Sequence, residues 1–288
     1  MKAIRIHEHG DSNVLSIDDI SDPKCSHNQI IVKMKAWGVN HLDLWTRKGF
    51  GGKVKLNLPL ILGSDGSGVV VEKGKDVTGW LEGDEVVIQP GLIANIEKKY
   101  SGHENLAENY GILGETHNGV QAEYVMLDPT NIYKKASHLS FPEAASMQLV
   151  FMTAYEMLVE RAKLKNGETV LIYGGCSGVG SAAIQISKNI GAKIIVTAGN
   201  AEKIDYLHKL GLDSVILHND NNLLKNLREV TSGRGVDVVF EHIGSNTWKN
   251  SLRILKKAGR IVTCGATTGS SVSIELNHLF IKQQSIIG

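Results

Sequence analysis

The feature that most constrains this chain is a glycine-rich segment between an apolar run and an amphipathic helical pattern. Thr169–Tyr173 is a predicted buried strand, and Gly174–Gly180 directly after it reads GGCSGVG. Apolar residues then recur at helical spacing, at Val179, Ala182, Ala183, Ile186 and Ile190. This order predicts a strand, a tight turn and a helix in immediate succession.

Strands and helices alternate through the rest of the C-terminal half. The predicted strands are Lys193–Thr197, Ser214–Leu217, Val236–Phe240 and Arg260–Cys264. The predicted helices are Pro142–Ala162, about Ala201 to Leu210, and a segment with Leu223, Leu224, Leu227 and Val230 on one face. Such alternation predicts parallel strands with helices on both faces. We therefore expect an α/β domain with a doubly wound parallel sheet.

The N-terminal part has a different, strand-rich pattern up to about residue 135. Val32, Met34 and Ala36 alternate with lysines, which is the period of a half-buried strand. Val69–Val71 and Val86–Ile88 are short apolar runs separated by Gly and Asp turn signals. We expect two domains, residues 1–135 and 136–288.

Composition excludes several function classes. The formal net charge is +1 and the basic residues are scattered, so no nucleic-acid partner is expected. No apolar run reaches about 18 residues and the N-terminus has no apolar stretch, so no membrane span or signal peptide is predicted. The three cysteines form no paired framework. We expect a cytoplasmic enzyme that acts on a small molecule.

The glycine-rich turn predicts a dinucleotide site. Small residues let the backbone approach a pyrophosphate, and amides at the helix N-terminus meet its charge. Gly180 would allow the helix to pack close to the strand. The alternative is a tight turn that binds no ligand.

The end of the second strand bears on the choice of nicotinamide cofactor. An NAD site carries Asp or Glu there, whereas Ala198–Asn200 contains no acid and Lys203 lies just beyond. Because Lys203 can meet a 2′-phosphate, NADPH is favoured over NADH. Two alternatives stay open: Glu202 as a ribose ligand, and Lys203 as a solvated helix residue.

Four motifs outside this turn share their pattern with a known superfamily. They are Gly38–Trp45 (GVNHLDLW), Leu62–Val69 (LGSDGSGV), Val236–Phe240 (VDVVF) and Gly259–Gly265 (GRIVTCG). Together they resemble the medium-chain dehydrogenase/reductase superfamily over essentially the whole chain, most of all its zinc-type alcohol dehydrogenase-like proteins and NADPH:quinone oxidoreductases. The resemblance implies a GroES-like, β-rich catalytic domain at 1–135 and a Rossmann coenzyme domain at 136–288.

The chain departs from the zinc-dependent members of that superfamily at their ligand positions. Those members carry Cys where Asn40 stands, a His-Glu pair where Ser64-Asp65 stands, and a third ligand near Leu149. Leu92–Tyr110, which corresponds to a lobe with four cysteines in many members, contains none. Asp65 cannot hold zinc without partners. We therefore expect neither a catalytic nor a structural zinc, and no metal site.

Resemblance to the quinone reductases implies three catalytic residues, Asn40, Trp45 and Thr153, around the nicotinamide and substrate. Asn40 would donate an amide hydrogen bond where zinc would have sat. Trp45 would form an aromatic wall where relatives often carry Tyr, and Thr153 resembles a threonine that contacts the nicotinamide carboxamide. Asp43 is expected to be structural. His41 is expected to be a polar surface or core residue, with a catalytic role as the alternative.

The same resemblance implies the cofactor residues. Ser177, Gly178 and Val179 match the pyrophosphate turn, and His218 replaces a frequent Tyr at the adenosine phosphate. The full set is Thr153, Gly175, Ser177, Gly178, Val179, Asn200, Lys203, His218, Ile243, Gly265 and Ala266. Cys176 and Cys264 are expected to be small packing residues near this site.

These observations predict an NAD(P)H-dependent oxidoreductase that reduces a quinone, enone or enoyl-type acceptor without zinc. The alternatives are an NAD(P)-dependent alcohol dehydrogenase without catalytic zinc, and a nucleotide-binding protein with little catalysis. Because Gln283–Gly288 has the pattern of an entering strand, we expect a truncated sequence that lacks the family's C-terminal return segment. The strand near Ser285–Gly288 resembles one that pairs between subunits, so we expect a homodimer or homotetramer.

Overall fold

The computed structural model describes residues 1–52, 56–94, 96–218 and 221–288, which form two compact units. The first unit is Met1–Leu149 and the second is Val150–Gly288. The segment after residue 135 contributes to the first unit, where Ser67 Oγ donates a hydrogen bond to the carbonyl of Phe141 at 2.7 Å. The expected domain boundary after residue 135 stays a prediction, since a compact unit and a domain are not the same thing.

In the described residues of the first unit, short antiparallel strands form three sheets. Its strands are β1 (Lys2–Ile6), β2 (Leu15–Asp19), β3 (Ile30–Trp37), β4 (Leu60–Ile61), β5 (Gly66–Lys73), β6 (Glu85–Ile88), β7 (Gly91–Leu92), β8 (Gly111–Ile112), β9 (Tyr124–Leu127) and β10 (Ile132–Lys134). The sheet orders are β2-β1-β4, β10-β6-β5-β3-β9 and β7-β8. The alternation predicted in β3 is observed: Val32 and Met34 are buried, while Lys33 and Lys35 are exposed.

Helices in the first unit are few and short. They are α1 (His41–Lys48), α2 (Phe141–Ala144) and the 3₁₀ turns Ser12–Val14, Gly49–Gly52, Lys98–Tyr100, Glu104–Leu106 and Pro129–Asn131. α1 begins directly after Asn40, and its last turn ends at Gly49 in the left-handed conformation (φ 72°), where glycine is favoured.

The second unit is one parallel sheet with helices on both faces. It contains all of α3 (Gln148–Tyr155) from Val150 onward. Its other elements are β11 (Thr169–Ile172), α4 (Gly178–Ile190), β12 (Lys193–Ala198), α5 (Ala201–Lys209), β13 (Val215–Leu217), α6 (Leu223–Val230), β14 (Val236–Glu241), α7 (Trp248–Ile254), β15 (Leu255–Thr263), α8 (Leu276–Lys282) and β16 (Ser285–Ile287). The strand order is β13-β12-β11-β14-β15-β16. The predicted fold class, with its doubly wound parallel sheet, is confirmed.

The core of this unit shows why the sheet is covered on both sides. Val170 and Ile172 of β11 pack in one apolar cluster with residues of α4 and α5. Leu171 and Tyr173 pack in a second cluster with residues of α6 and α7. Alternate residues of one strand thus enter opposite layers, as the period of a strand requires. No helix in the described ranges combines the length and apolar character needed to cross a bilayer.

The prediction of one helix over Pro142–Ala162 is wrong. The segment is divided into α2, α3 and a π-helical turn at Glu156–Arg161. Ser140 and Glu143 form a capping box that starts α2, and Ala145 ends it after a single turn. The composition favours helix throughout this region, but capping interactions and the wider turn divide it.

The helical face predicted for α6 is only partly correct. Leu223 and Leu227 are buried in the second cluster and Leu224 packs against it, whereas Val230 is 45% exposed. Val230 is the last residue of α6, and its side chain is exposed there.

Leu227→Ala should lower the free energy of unfolding by about 2–5 kcal/mol, because it removes a fully buried side chain and leaves a cavity. Val230→Ala, on the same helix, should change it by less than about 1 kcal/mol. Urea unfolding of both variants measures the difference. Equal effects would contradict the assignment of Leu227 to the core.

Candidate active site

The predicted cofactor residues of the second unit lie at one edge of its sheet. In a parallel sheet all strands point the same way, so the segments after β11, β12, β13, β14 and β15 meet at the carboxyl edge. The residues placed there are Gly175, Ser177, Gly178, Val179, Asn200, Lys203, His218, Ile243, Gly265 and Ala266. Thr153 belongs to the same unit, within α3, and is half-buried. Their roles stay predictions.

The glycine-rich turn after β11 is compact and well capped. Gly174 has φ 59°, and Ser177 Oγ accepts a hydrogen bond from the Gly180 amide at 3.0 Å. Gly178 and Val179 supply the first two amides of α4, for which the helix has no carbonyl partners. A partly exposed turn that ends in such amides fits a diphosphate.

Gly180 explains how closely α4 approaches this turn. A Cβ atom at this position would lie 2.3 Å from the carbonyl oxygen of Gly174 and 2.8 Å from Ser177 Oγ. Backbone contact of this kind leaves no room for any side chain. The sequence predicted that α4 would pack closely against strand β11. The close contact is instead with Gly174, the first residue of the turn after that strand.

A hydrogen-bonded chain connects the turn to the end of β13. Thr197, fully buried at the end of β12, accepts a hydrogen bond from the Gly174 amide on Oγ1 at 3.1 Å. The same Oγ1 lies 3.2 Å from Nδ1 of His218. Asn200 caps α5 by accepting a hydrogen bond from the Lys203 amide at 2.9 Å. Asn200, Lys203 and His218 are therefore positioned by the ends of adjacent elements.

Two residues that the sequence interpretation missed hold the loop after β14. Glu241 is fully buried and accepts hydrogen bonds from the amides of Ile243 (2.7 Å) and Gly244 (3.1 Å) and from the hydroxyls of Thr247 and Ser251. Its carboxylate therefore fixes the backbone of this loop. A carboxylate directly after the apolar run Val238–Phe240 was the available signal.

His242 is the second missed residue. Its Nε2 lies 2.8 Å from the carbonyl oxygen of Tyr173, the residue before the glycine-rich turn. Since a carbonyl only accepts, Nε2 carries the proton of this hydrogen bond. The contact ties the segment after β14 to the segment after β11.

The thiols near this edge are kept protonated. Burial raises the pKa of Cys264 to about 12, and the charge of Glu241 adds to the effect. Burial also raises the pKa of Cys176 in the glycine-rich turn, although Lys203 opposes it. Both cysteines are partly buried, as expected of packing residues.

In the first unit, Asn40 stands directly before α1 and hydrogen-bonds two buried carboxyl groups, those of Asp43 in α1 and of Asp65. The backbone amide of Asn40 donates to Asp43 Oδ2 at 2.7 Å, and its side-chain Nδ2 donates to Asp65 Oδ2 at 3.1 Å. Asp43 Oδ1 also accepts from the Gly63 amide at 3.1 Å, and Asp65 Oδ1 accepts from the Leu149 amide at 2.8 Å. This network fixes the orientation of the Asn40 carboxamide.

Burial raises the pKa of Asp65 to about 6. The nearby charge of Asp43 adds to the increase, while the hydrogen bonds from Asn40 and Leu149 oppose it. Burial also raises the pKa of Asp43. Asp65 is 1% exposed, so solvent does little to relieve the cost of its charge.

The residues present do not fit a zinc ion at the superfamily's catalytic position. Asn40 and the Leu149 amide both donate to Asp65, and Ser64 Oγ donates to the carbonyl of Leu113 at 2.8 Å. A zinc site needs three or four thiolate, imidazole or carboxylate ligands around one point. Among the residues that the structure describes, no three His, Cys, Asp or Glu side chains are grouped in that way.

The aromatic candidate of the first unit lies on α1. Trp45 is 38% exposed, and its ring lies 6.1 Å from that of His41, one helical turn earlier. Asn40 is half-buried and His41 is exposed. Asn40 thus precedes the first residue of α1, and Trp45 lies within the same helix. Thr153 belongs to the second unit.

Two family models match the chain. The alcohol dehydrogenase GroES-like domain matches residues 26–137, and the zinc-binding dehydrogenase family matches residues 178–288. The quinone oxidoreductase of Homo sapiens is 29% identical over 100% of this chain and 79% of its own length. The crotonyl-CoA reductase of Streptomyces avermitilis is 32% identical over 95% of this chain and 70% of its own length.

Solved structures with the same fold span both units. An NAD-dependent alcohol dehydrogenase superposes with a TM-score of 0.95 at 39% identity, over 100% of this chain and 84% of its own. A 2-octenoyl-CoA carboxylase reductase in complex with NADP and 2-octenoyl-CoA gives 0.86 at 28% identity, over 100% and 75%. The Escherichia coli quinone oxidoreductase complexed with NADPH gives 0.82 at 27% identity, over 99% and 80%.

Gly180→Ala should weaken NADPH binding at least about tenfold and lower the free energy of unfolding by about 1–3 kcal/mol, because the new methyl group meets backbone. Fluorescence titration with NADPH and urea unfolding measure the two effects. Gln185→Ala, at an exposed position of the same helix, is the control. An unchanged dissociation constant in Gly180→Ala would contradict the role of the close approach.

The stability of the protein should depend on pH through Asp65. A carboxyl whose pKa rises on folding binds its proton more tightly in the folded state, so its contribution is most favourable below about pH 4 and is lost as pH rises through 6. The difference in unfolding free energy between wild type and Asp65→Asn should therefore fall by about 2 kcal/mol between pH 4 and pH 7.

Urea unfolding at a series of pH values checks this prediction. Asp19→Asn, which removes a carboxylate from an exposed position, is the control. A constant difference for Asp65→Asn would contradict the raised pKa.

Proposed function

The chain belongs to the medium-chain dehydrogenase/reductase superfamily, within its NADPH:quinone oxidoreductase-like group, and from this premise we propose that it reduces a quinone, an enone or an enoyl thioester with NADPH and without zinc. The family assignment made from the motifs is confirmed. The relatives establish that the protein is an NAD(P)H-dependent oxidoreductase. The acceptor, the zinc independence and the choice of NADPH are the proposal.

The observation that carries the proposal is the hydrogen-bonded network of Asn40 and Asp65. Both oxygens of Asp65 are occupied, by the Asn40 side chain and by the Leu149 amide. An amide donor and a carboxyl that share a hydrogen bond do not form the ligand set of a Lewis-acid metal. Without such a metal, an alkoxide loses its main stabiliser, whereas a conjugated carbonyl needs only hydrogen-bond donors.

NADPH, when bound, supplies the hydride. Gly175 and Ser177–Val179 would hold its diphosphate, and Asn200, Lys203 and His218 its adenosine phosphate. Ile243, Gly265 and Ala266 would line the nicotinamide side, in loops that hydrogen-bond each other through the Thr268 amide and the Ile243 carbonyl at 2.8 Å. The NADP and NADPH complexes of two structural relatives support this choice of cofactor.

The chain's own residues would act on the acceptor by orientation and hydrogen bonding. Asp65 takes one hydrogen of the Asn40 carboxamide, which leaves the second to stabilise negative charge on the acceptor oxygen. Trp45 would offer a flat apolar surface to a planar acceptor. Thr153 would contact the nicotinamide carboxamide.

A second candidate is an NAD(P)-dependent alcohol dehydrogenase that works without catalytic zinc. The structural match to an NAD-dependent alcohol dehydrogenase, at 39% identity, favours it. The two candidates differ in the direction of hydride transfer and in the substrate. The first reduces an acceptor with NADPH, and the second oxidises an alcohol with NAD(P).

Turnover assays combined with metal analysis separate them. NADPH or NADH oxidation is followed with 1,4-benzoquinone, an enone and crotonyl-CoA, and NADP or NAD reduction with short alcohols, on protein whose zinc content is measured by mass spectrometry. We expect acceptor reduction by NADPH in zinc-free protein. Alcohol oxidation that requires one zinc per chain would overturn the proposal.

Asn40→Ala should lower kcat for acceptor reduction about 100-fold, the cost of losing one donor to a developing oxyanion. The dissociation constant of NADPH should stay unchanged, because its proposed contacts lie in the second unit. Asn13→Ala, at an exposed position of the first unit, is the control, and thermal unfolding tests the folding of both variants. Full activity of Asn40→Ala would remove Asn40 from the mechanism.

A further inference from the structure

We propose that His218 couples binding of the adenosine 2′-phosphate to uptake of a proton, so that preference for the phosphorylated cofactor depends on pH. The inference rests on the proposed binding of NADPH and adds to it a regulated choice of cofactor. It is carried by the position of the imidazole between Thr197 and Gly199.

Thr197 hydrogen-bonds the imidazole of His218 on its Nδ1 side. Thr197 Oγ1 accepts from the Gly174 amide at 3.1 Å, so its own proton remains to be donated. Nδ1 of His218 lies 3.2 Å from this Oγ1, which can donate that proton to a neutral ring or accept a hydrogen bond from a protonated one. An accepting Nδ1 means a neutral ring that carries its hydrogen on Nε2.

The other ring nitrogen faces the turn after β12. Nε2 lies 3.4 Å from the place where a Cβ of Gly199 would be, beside the cap of α5. The His218 backbone is fixed as well, because its amide donates to the carbonyl of Ala198 at 3.0 Å. The half-buried imidazole is thus hydrogen-bonded on its Nδ1 side, and its Nε2 lies beside the turn that follows β12.

Burial and the charges around His218 favour its neutral form until an anion arrives. Burial lowers its pKa, and Lys203 on α5 and His242 after β14 lower it further. A dianionic 2′-phosphate near Lys203 and His218 reverses the balance, since a negative charge favours the protonated imidazole. The ring then takes one proton from solvent and holds the phosphate by a charge-assisted hydrogen bond.

The ligand's own titration has the opposite sign. A phosphate monoester has a second pKa of about 6, so binding of its dianion releases protons below that pH. At pH 7.0 to 7.5 the phosphate is already mostly dianionic, and uptake by His218 should dominate. Adenosine 2′,5′-bisphosphate and 5′-AMP share the 5′-phosphate and differ only at the 2′ position, so the difference between them isolates the proposed effect.

Calorimetric titration of the full chain at pH 7.2, in buffers of different ionisation enthalpy, measures the protons exchanged. We expect uptake of about half a proton or more with adenosine 2′,5′-bisphosphate and almost none with 5′-AMP. The dissociation constant of the bisphosphate should rise about three- to tenfold per pH unit between pH 7 and 8.5.

Variants test whether His218 is the residue that takes up the proton. His218→Gln keeps a neutral donor and should abolish the uptake, while the bisphosphate loses about tenfold in affinity and 5′-AMP is unaffected. His208→Gln, in the last turn of α5, should behave as wild type. Uptake that persists in His218→Gln, or wild-type binding without uptake, would overturn the inference and leave the proposed function intact. Failure of both nucleotides to bind wild type would overturn the proposed function as well.

Discussion

The second unit depends on one backbone contact, the approach of α4 to the carbonyl of Gly174. Only a residue without Cβ can occupy position 180, because any side chain would meet that carbonyl. The contact holds the first amides of α4 beside the turn, and Ser177 and Thr197 secure the turn from two sides. The carboxyl edge of the sheet thus presents backbone donors whose positions are set before any ligand binds.

The Asn40–Asp65 pair plays the corresponding part in the first unit. Asn40 donates a hydrogen bond to one oxygen of Asp65, and the Leu149 amide donates to the other. Burial of Asp65 makes its charge costly, and the bridge from Asn40 to both Asp43 and Asp65 keeps the two carboxyl groups in place. The start of α1 is therefore joined to an ordered polar network.

Much of this architecture could be predicted from the sequence, because strands and helices have distinct periods. The parallel strands and the turn at Gly174–Gly180 followed from apolar periodicity and glycine placement. The helix at Pro142–Ala162 could not be divided correctly, since the π-helical turn leaves no compositional signal. His242 was missed because its contact with Tyr173 joins segments distant in sequence, and Glu241 because its partners, such as Ser251, surround it only once the loop after β14 has folded. Thr197 was likewise read only as the end of a strand.

The protonated thiols of Cys176 and Cys264, at the carboxyl edge of the sheet, affect how readily the protein is alkylated. Quinones and enones are electrophiles that add to thiolates, and an enzyme that handles them repeatedly exposes its own cysteines to alkylation. A thiol reacts in proportion to its ionised fraction. With a pKa of about 12, Cys264 is ionised to a very small extent near neutral pH, and Cys176 is shifted in the same direction. Burial thus lowers the reactivity of both thiols toward electrophiles of the kind proposed as acceptors.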